Sequence, residues 1–418
     1  MADAGPTSQL GAAGPPPARA ALQLLAGSAF GAYFVGKLLW ATGVWVFTVT
    51  SAILVYSLTS SAFMVGVVTF AQYFPMLVLS PLSGARADLG DPKRQAALGR
   101  IIMAVGSGVL AGHLFIQGRS GTTTLLIVLF AALCVGLGDA LGAPAAQALM
   151  ATLVRRNELA TAVELDAIPF TLARAVGPIL GALITAFIDV SVAFAYSTLV
   201  CIIFAVILLR IRPEEAVRRR TGDGTVAEGL RYLRTQPRLI IMLIGVTAVG
   251  FGVDPVVTLS PALVAALDGS ARDVGLLASA FGTGAGFILL TLRRIRGRIG
   301  VDPIASIGLS VLAVAMLLIV VIPDVRWAIA AMVFGGMGYS MAITSLTTML
   351  QSQVANEMRG RIMALWSVTY FGSRPIAAAM NGGIADLVSV RAAYLLSGIL
   401  IVCGAWVVRP TRVRSSTE

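Results

Sequence analysis

Four ionisable residues, Asp139, Arg174, Asp254 and Arg374, lie deep inside long apolar runs. A charge at the centre of a bilayer costs about 2.5–3.5 kcal/mol on insertion scales, which makes each of them a functional candidate. A carboxylate held at depth can take up and release a proton; a guanidinium can orient an anionic or polar substrate or partner an acid. Counted along their runs at ~1.5 Å per residue, all four come out at about 20–22 Å, so two acids and two arginines are expected to meet at one level. The competing expectation is a fixed pair of salt bridges that only holds helices together. Glu164 and Asp166 lie shallower, at about 8–10 Å. They read either as second proton carriers or as side chains that snorkel to the interface, as Lys37 is expected to do.

The elements that position these groups must be membrane helices. Of 418 residues, 57% are apolar and only 12% charged, whereas a soluble globule is nearer ~45–50% apolar. Twelve apolar stretches are long enough to span: 30–57, 62–84, 96–117, 122–152, 159–187, 190–211, 239–267, 273–292, 302–322, 326–350, 360–386 and 390–408. Continuous apolar runs exclude the alternating pattern of a membrane barrel, and helices satisfy the backbone in hydrocarbon. The expected class is therefore an all-α membrane protein. Residues 1–28, rich in Ala, Gly and Pro, read as a disordered tail with no cleavable signal pattern.

A net charge of +11 would suggest nucleic acid in a soluble protein, but its placement argues for topology. With the N-terminus inside, twenty-four basic residues fall in inner segments and four in outer ones (Arg119, Arg272, Arg326 and Arg391). Arg100 is counted among the inner-loop charges. The positive-inside rule then puts both termini in the cytoplasm. The longest polar interval divides the chain into a six-helix bundle over 29–211, a central loop over 212–238, a second bundle over 239–408 and a tail over 409–418. Within the loop, "VAEGLRYLRTQPR" sets Leu230 and Leu233 opposite basic residues, the pattern of a short helix on a membrane surface.

An internal echo supports duplication. "RRNELATAV" enters the fifth span and "VANEMRGRIM" the eleventh, and each is followed by a deep arginine beside a proline, Arg174 with Gly177-Pro178 and Arg374 with Pro375. Paired six-helix repeats around a midplane site are a known transporter plan. The stretch "SGARADLGDPKR" adds Gly84, Asp88, Lys93 and Arg94 between the second and third spans.

With these motifs the chain resembles the major facilitator superfamily. "GLRYLRTQP", "ARAVGPILG" and "NEMRGRIMAL" resemble its bacterial branch of enterobactin exporters and macrolide efflux proteins. The resemblance implies two six-helix pseudo-repeats. It also implies a gating latch in which Gly84 and Asp88, with Lys93 and Arg94, meet the start of the eleventh helix near Gly360 and Arg361. "GPILG", with Gly177, Pro178 and Gly181, is similar to part of the fifth-helix signature of antiporters and implies a bend on which a gate moves. Several positions depart from the pattern, among them Leu89 and Asp91-Pro92 in the latch, and Val44, where relatives carry a first-helix acid. The last shifts the expected proton site to Asp139 and Asp254. Asp166 stands where the branch commonly has asparagine. Pro255 and Pro261 are expected to break the seventh helix beside Asp254.

Other signals are set aside. "GTGAG", Gly282–Gly286, lies in an apolar run with no preceding strand and reads as helix packing rather than a phosphate loop. One histidine and three scattered cysteines build neither a metal site nor a catalytic cluster, and no Walker loop is present. The cysteines read as small core residues, and Trp40, Trp45, Phe70, Phe74 and Trp366 as candidate cavity aromatics. The expectation is a secondary transporter of a bacterial cytoplasmic membrane, not an enzyme, that exports a small amphiphilic compound in exchange for protons. It would need no cofactor, metal or nucleic acid and would act as a monomer within the lipid bilayer. Uptake or lipid translocation by the same architecture, or a non-transporting receptor or membrane enzyme, are the alternatives.

Overall fold

A computed structural model of the protein describes residues 18–119, 121–155, 158–212, 226–355 and 358–413. Twelve long helices follow one another: α1 (Ser28–Thr59), α2 (Ala62–Leu89), α3 (Pro92–Gln117), α4 (Gly121–Met150), α5 (Leu159–Phe187), α6 (Val190–Arg210), α7 (Pro237–Thr258), α8 (Ala271–Ile299), α9 (Val301–Val321), α10 (Val325–Gln353), α11 (Arg359–Leu387) and α12 (Val390–Val407). Eleven of them are long and apolar enough to cross a membrane. The exception is α11, which matches them in length but carries Arg359, Arg361, Arg374 and Asn381. Twelve alternating crossings bring the first and last helix ends to one face, the terminal face; the other is the far face.

Several helices run past the apolar stretches. α2 continues to Leu89, α3 begins at Pro92, and α8 extends to Ile299 with Arg293, Arg294, Arg296 and Arg298 on its last turns. A 29-residue helix is about 43 Å long. That exceeds a hydrocarbon core of ~30 Å, so the charged turns project into the headgroups. The charge-rich stretch after α2 is thus the end of one helix and the start of the next. Asp91 accepts from the backbone N–H groups of Lys93 and Arg94 at 3.0 and 3.2 Å, and Pro92 fills the first helical position, where no donor is needed. This explains the Asp91-Pro92 departure as helix-capping chemistry worth ~1 kcal/mol.

At the far face Asp189 starts α6 and Asp324 starts α10 in the same way. Hydrogen bonds from the Ser191 hydroxyl and backbone, with Arg119 beside it, hold the Asp189 carboxyl down to about 2. Its contribution to stability is therefore present above the ordinary carboxylate range and is lost only as pH falls through about 2. Gly300 joins α8 directly to α9 with φ +82°, a left-handed conformation open to glycine at no steric cost.

One expectation about the non-spanning segments changes. Residues 1–17 of the expected tail lie outside the described residues, but Ala18–Ala26 is a helix whose Leu24 enters the first core, because Ala21, Leu24 and Leu25 share one face. Val226–Arg234 is helical, as its pattern suggests, and it packs on α11, with Gly229 on Arg361 and Glu228 paired to Arg361 at 2.8 Å.

Two large hydrophobic cores form, with a small third cluster of Leu292, Ile304 and Met341. One is built almost wholly from residues between Leu24 and Ile211, the other from residues between Leu239 and Val408. The halves meet along two seams, α2 against α11 and α5 against α8. Small residues make both seams possible. A Cβ on Gly66 would strike the Ala378 carbonyl, one on Gly382 the backbone of Ala62 and Phe63, and one on Gly275 the Pro178 carbonyl. The "GTGAG" segment packs in the same manner, with Gly282 against the Arg174 backbone and Gly284 against Val333.

Candidate functional site

Between the halves, α7 is interrupted. Its helix stops at Val253, restarts over Pro255–Thr258 and again over Ser260–Ala266, since Pro255 and Pro261 supply no N–H and force the ladder to break. Asp254 stands in the first break and is wholly buried. Its carboxylate accepts from the Thr258 hydroxyl at 2.9 Å and from the Asn381 amide of α11 at 2.8 Å, and Asn381 in turn accepts from Ser397 of α12. Tyr394 donates to the Pro255 carbonyl at 3.2 Å, which also accepts from the Leu259 backbone N–H.

The two deep arginines cross the seams in opposite directions. Arg374, on α11 of the second half, lies 3.9 Å over the ring of Tyr73 on α2 of the first. Arg174, on α5 of the first half, lies 4.7 Å over Tyr339 on α10 of the second and is flanked by Trp45 and Phe170. The Tyr339 and Tyr370 hydroxyls share a 2.8 Å hydrogen bond, and Trp366 stacks on Tyr370 at 5.4 Å. Such cation–π contacts contribute about 0.5–2 kcal/mol each, more where water is excluded. Asp254 is within electrostatic reach of Arg374, although no ion pair within 4 Å joins them among the described residues.

The fourth group of the expected quartet lies elsewhere. Asp139 faces α3, where it meets Arg100 at 3.4 Å. The cause is local: Gly99, Gly138 and Gly142 let α3 and α4 touch backbone to backbone, and that crossing sets Arg100 beside Asp139. Arg100 is thus not a loop charge. It is 1% exposed and lies 3.7 Å over the Trp40 ring.

A second pair sits nearby, Lys37 on α1 with Asp166 at 2.6 Å, where Lys37 also donates to the Asp166 carbonyl. Neither residue snorkels, because each finds its counter-charge across the bundle, and Asp166 is held where α5 breaks at Ala167. Glu164, two residues earlier, is exposed. Replacing Lys37 by methionine alone should lower the thermal midpoint of the purified protein more than the double change Lys37→Met/Asp166→Leu. The single variant strands a buried carboxylate, a loss of about 3–5 kcal/mol. Equal losses in the two variants would show that the pair is not coupled.

Of the latch residues, Gly84 and Asp88 fall on the last turns of α2, with their side-chain surroundings outside what is described. Lys93 and Arg94 supply the capped N–H groups of α3, and Arg94 pairs with Asp91 at 3.2 Å. Gly360 is exposed, and Arg361 is engaged by Glu228. Pro178 falls within the unbroken helix Ile168–Phe187, while Gly177 and Gly181 press α5 onto Trp45 and Val46 of α1. A break in α5 falls at Ala167. Of the candidate aromatics, Trp40 and Trp45 are buried, and Phe70 and Phe74 are exposed and stacked on each other. Cys403 is exposed rather than a core residue.

Sequence reasoning missed one residue at the far face. Asp386, at the end of α11, accepts from the Ser61 hydroxyl and from the backbone N–H groups of Ala62 and Phe63 at 2.7 and 3.1 Å. It caps α2 of the other half, a capping contact made across the seam. Its only signal was an acid near the end of an apolar run, which also describes an ordinary interfacial charge. Asp386→Ala should weaken far-face closure by about 0.5–2 kcal/mol. The readout is a longer distance distribution between spin labels at Ile188 and Arg272; an unchanged distribution would count against the cap.

The chain matches the profile of a family described as transmembrane secretion effector over residues 20–418. It is 26% identical over 388 residues to the enterobactin exporter EntS of Salmonella typhi, covering 90% of each chain. Against EntS of Shigella boydii serotype 18 it is 26% identical over 386 residues, again covering 90% of each. Its fold resembles solved structures of the nucleoside transporter NupG (TM-score 0.73, 13% identity, 93% of this chain and 98% of that one). It also resembles a bacterial homologue of the human lysosomal transporter Spinster, inward-facing and occupied (TM-score 0.74, 13% identity, 97% and 100%), and a D-xylose–proton symporter (TM-score 0.67, 15% identity, 91% and 96%).

Proposed function

This chain belongs to the transmembrane secretion effector family of the major facilitator superfamily, and we propose that it exports a small amphiphilic compound by alternating access, driven by protons. It is a multi-pass membrane transporter rather than an enzyme. The observation that carries the proposal is the buried Asp254. A carboxylate in a break of α7, at the junction of the halves and near an arginine, is a group whose protonation can be coupled to their movement.

On this reading the terminal face is cytoplasmic, as the distribution of arginines favours, and the transporter acts as a monomer in a bacterial inner membrane. The arrangement described here, with α2 and α11 joined through Asp386, then corresponds to closure toward the outside. Arg174 and Arg374 contact substrate, Asp254 carries the proton, and the Lys37–Asp166 and Arg100–Asp139 pairs brace the first bundle. Gly84, Asp88, Lys93, Arg94, Gly360 and Arg361 form the latch of the opposite state.

The test is transport by the full chain in proteoliposomes under an imposed pH gradient, screened with siderophores, macrolides and hydrophobic cations. Export predicts substrate movement out of the compartment facing the terminal side, against protons entering it. Movement in the same direction as protons would overturn export and favour symport, the mode named for the D-xylose–proton symporter of the same fold. Movement that ignores the gradient would remove proton coupling.

A further inference from the structure

Nine buried side-chain polar atoms lack a hydrogen-bond partner among the described residues, and five belong to one place: Trp45 Nε1, Arg174 Nε, Arg374 Nε and Nη2, and Trp366 Nε1. All five are N–H donors. Leaving a buried donor unpaired costs about 1–3 kcal/mol, and more for charged groups, so such a concentration within one cluster calls for an acceptor.

The Tyr339 hydroxyl reaches Arg174 through another of its nitrogens, but among the described residues no acceptor reaches these five N–H groups. No carboxylate lies within 4 Å of either guanidinium among the described residues, and both face aromatic rings instead. The one acid in reach, Asp254, already accepts from Thr258 and Asn381. Even when ionised it offsets one of two cations, and when protonated it offsets neither. Arg374 is 5% exposed, which keeps its two unpaired N–H groups from bulk water, while Arg174 and Trp366 are part-buried. Beside the donors, the part-exposed Trp366 stacks on the buried Tyr370 ring.

We propose that Arg174 and Arg374 form an anion site spanning the two halves, and that the transported molecule is an aryl-bearing organic anion. It would offer oxygen acceptors to both guanidinium groups and a flat surface to the Trp366 indole. Guanidinium groups suit this task because their planar forks engage oxyanions with two parallel bonds. One arginine comes from each half, so an anion bound between them bridges the parts that must move together. This inference rests on the transporter reading above and narrows it to a substrate class.

Two xanthene dyes of similar size and opposite charge, fluorescein (anionic) and rhodamine 6G (cationic), test it on the full chain in nanodiscs by fluorescence anisotropy. The wild-type protein should bind fluorescein at least roughly tenfold more tightly than rhodamine 6G. Arg174→Gln and Arg374→Gln should each weaken fluorescein binding about 10–100-fold, the loss of one charge-assisted hydrogen bond of 1.5–3 kcal/mol. Arg374→Lys should recover part of that loss. Equal or tighter binding of rhodamine 6G, binding of neither dye, or fluorescein binding unchanged in the glutamine variants overturns the anion site. Where a variant does not fold, the wild-type preference decides alone. Rhodamine 6G moved across proteoliposomes while fluorescein is neither bound nor moved would overturn the site and leave transport standing. Fluorescein bound with the predicted preference but not moved would support the site and count against export of this class.

Discussion

Replacing Gly282 by leucine is expected to reduce flux by one to two orders of magnitude while the protein remains folded in the membrane. A side chain at this position of α8 collides with the Arg174 carbonyl and the Ala175 amide of α5, which are backbone atoms and cannot rotate away. Forcing extra carbons into a close-packed seam costs about 1–3 kcal/mol. The penalty falls on the far-face-closed state, where α5 and α8 touch, and spares any state in which they separate. A bias of that size shifts a two-state population by about 5–150-fold, which stalls a cycle that must visit both. Spin labels at Ile188 and Arg272 should report a wider far face in the variant. Unchanged flux together with an unchanged distance would mean that the seam is not part of the cycle.

Asp254→Asn is expected to separate movement from energy coupling. The asparagine is nearly isosteric. With the Asn381 amide turned over and the Ser397 hydroxyl rotated, every hydrogen bond of the network can be kept. What is lost is an ionisable group. A gradient of one pH unit supplies about 1.4 kcal/mol per proton, enough for roughly tenfold accumulation. Wild-type proteoliposomes should approach that ratio and the variant should stay near unity, while exchange of labelled for unlabelled substrate continues. Accumulation by the variant at the wild-type ratio would show that Asp254 is a structural acid and that protons travel elsewhere, with Asp139 and Asp166 the next groups to examine.

The fold was legible because its signals are local. Twelve apolar runs, an echo of arginine and proline in the fifth and eleventh, and a polar divide between halves all follow from short stretches of chain. Even α11, too polar to qualify on composition, is betrayed by its length and its likeness to α5. Pro255 and Pro261 mark the breaks of α7 for the same reason, since each removes a backbone donor where it stands.

The site was legible only in part because its partners are distant. Depth counted along a helix says how high Asp139 sits but not which way it faces. That direction is set by the glycine crossing of α3 and α4, which turns it to Arg100 and away from the junction of the halves. Lys37 and Asp166 are separated by 129 positions, and neither carries a mark of the other. Arg100 looked like a loop residue because hydropathy registers its charge and not the indole face that shelters it. Tyr73, Tyr339 and Tyr370 were invisible for a related reason: a tyrosine in a membrane helix is ordinary until a guanidinium is found above its ring.

The opposed arginine stacks make each half dependent on the other from birth. Arg174 stacks on a tyrosine of the second bundle and Arg374 on one of the first, so a bundle synthesised alone would carry its deep cation into lipid with part of its shielding missing. Severed halves would have to be produced side by side to survive quality control, and joining them in one polypeptide spares the cell that gamble.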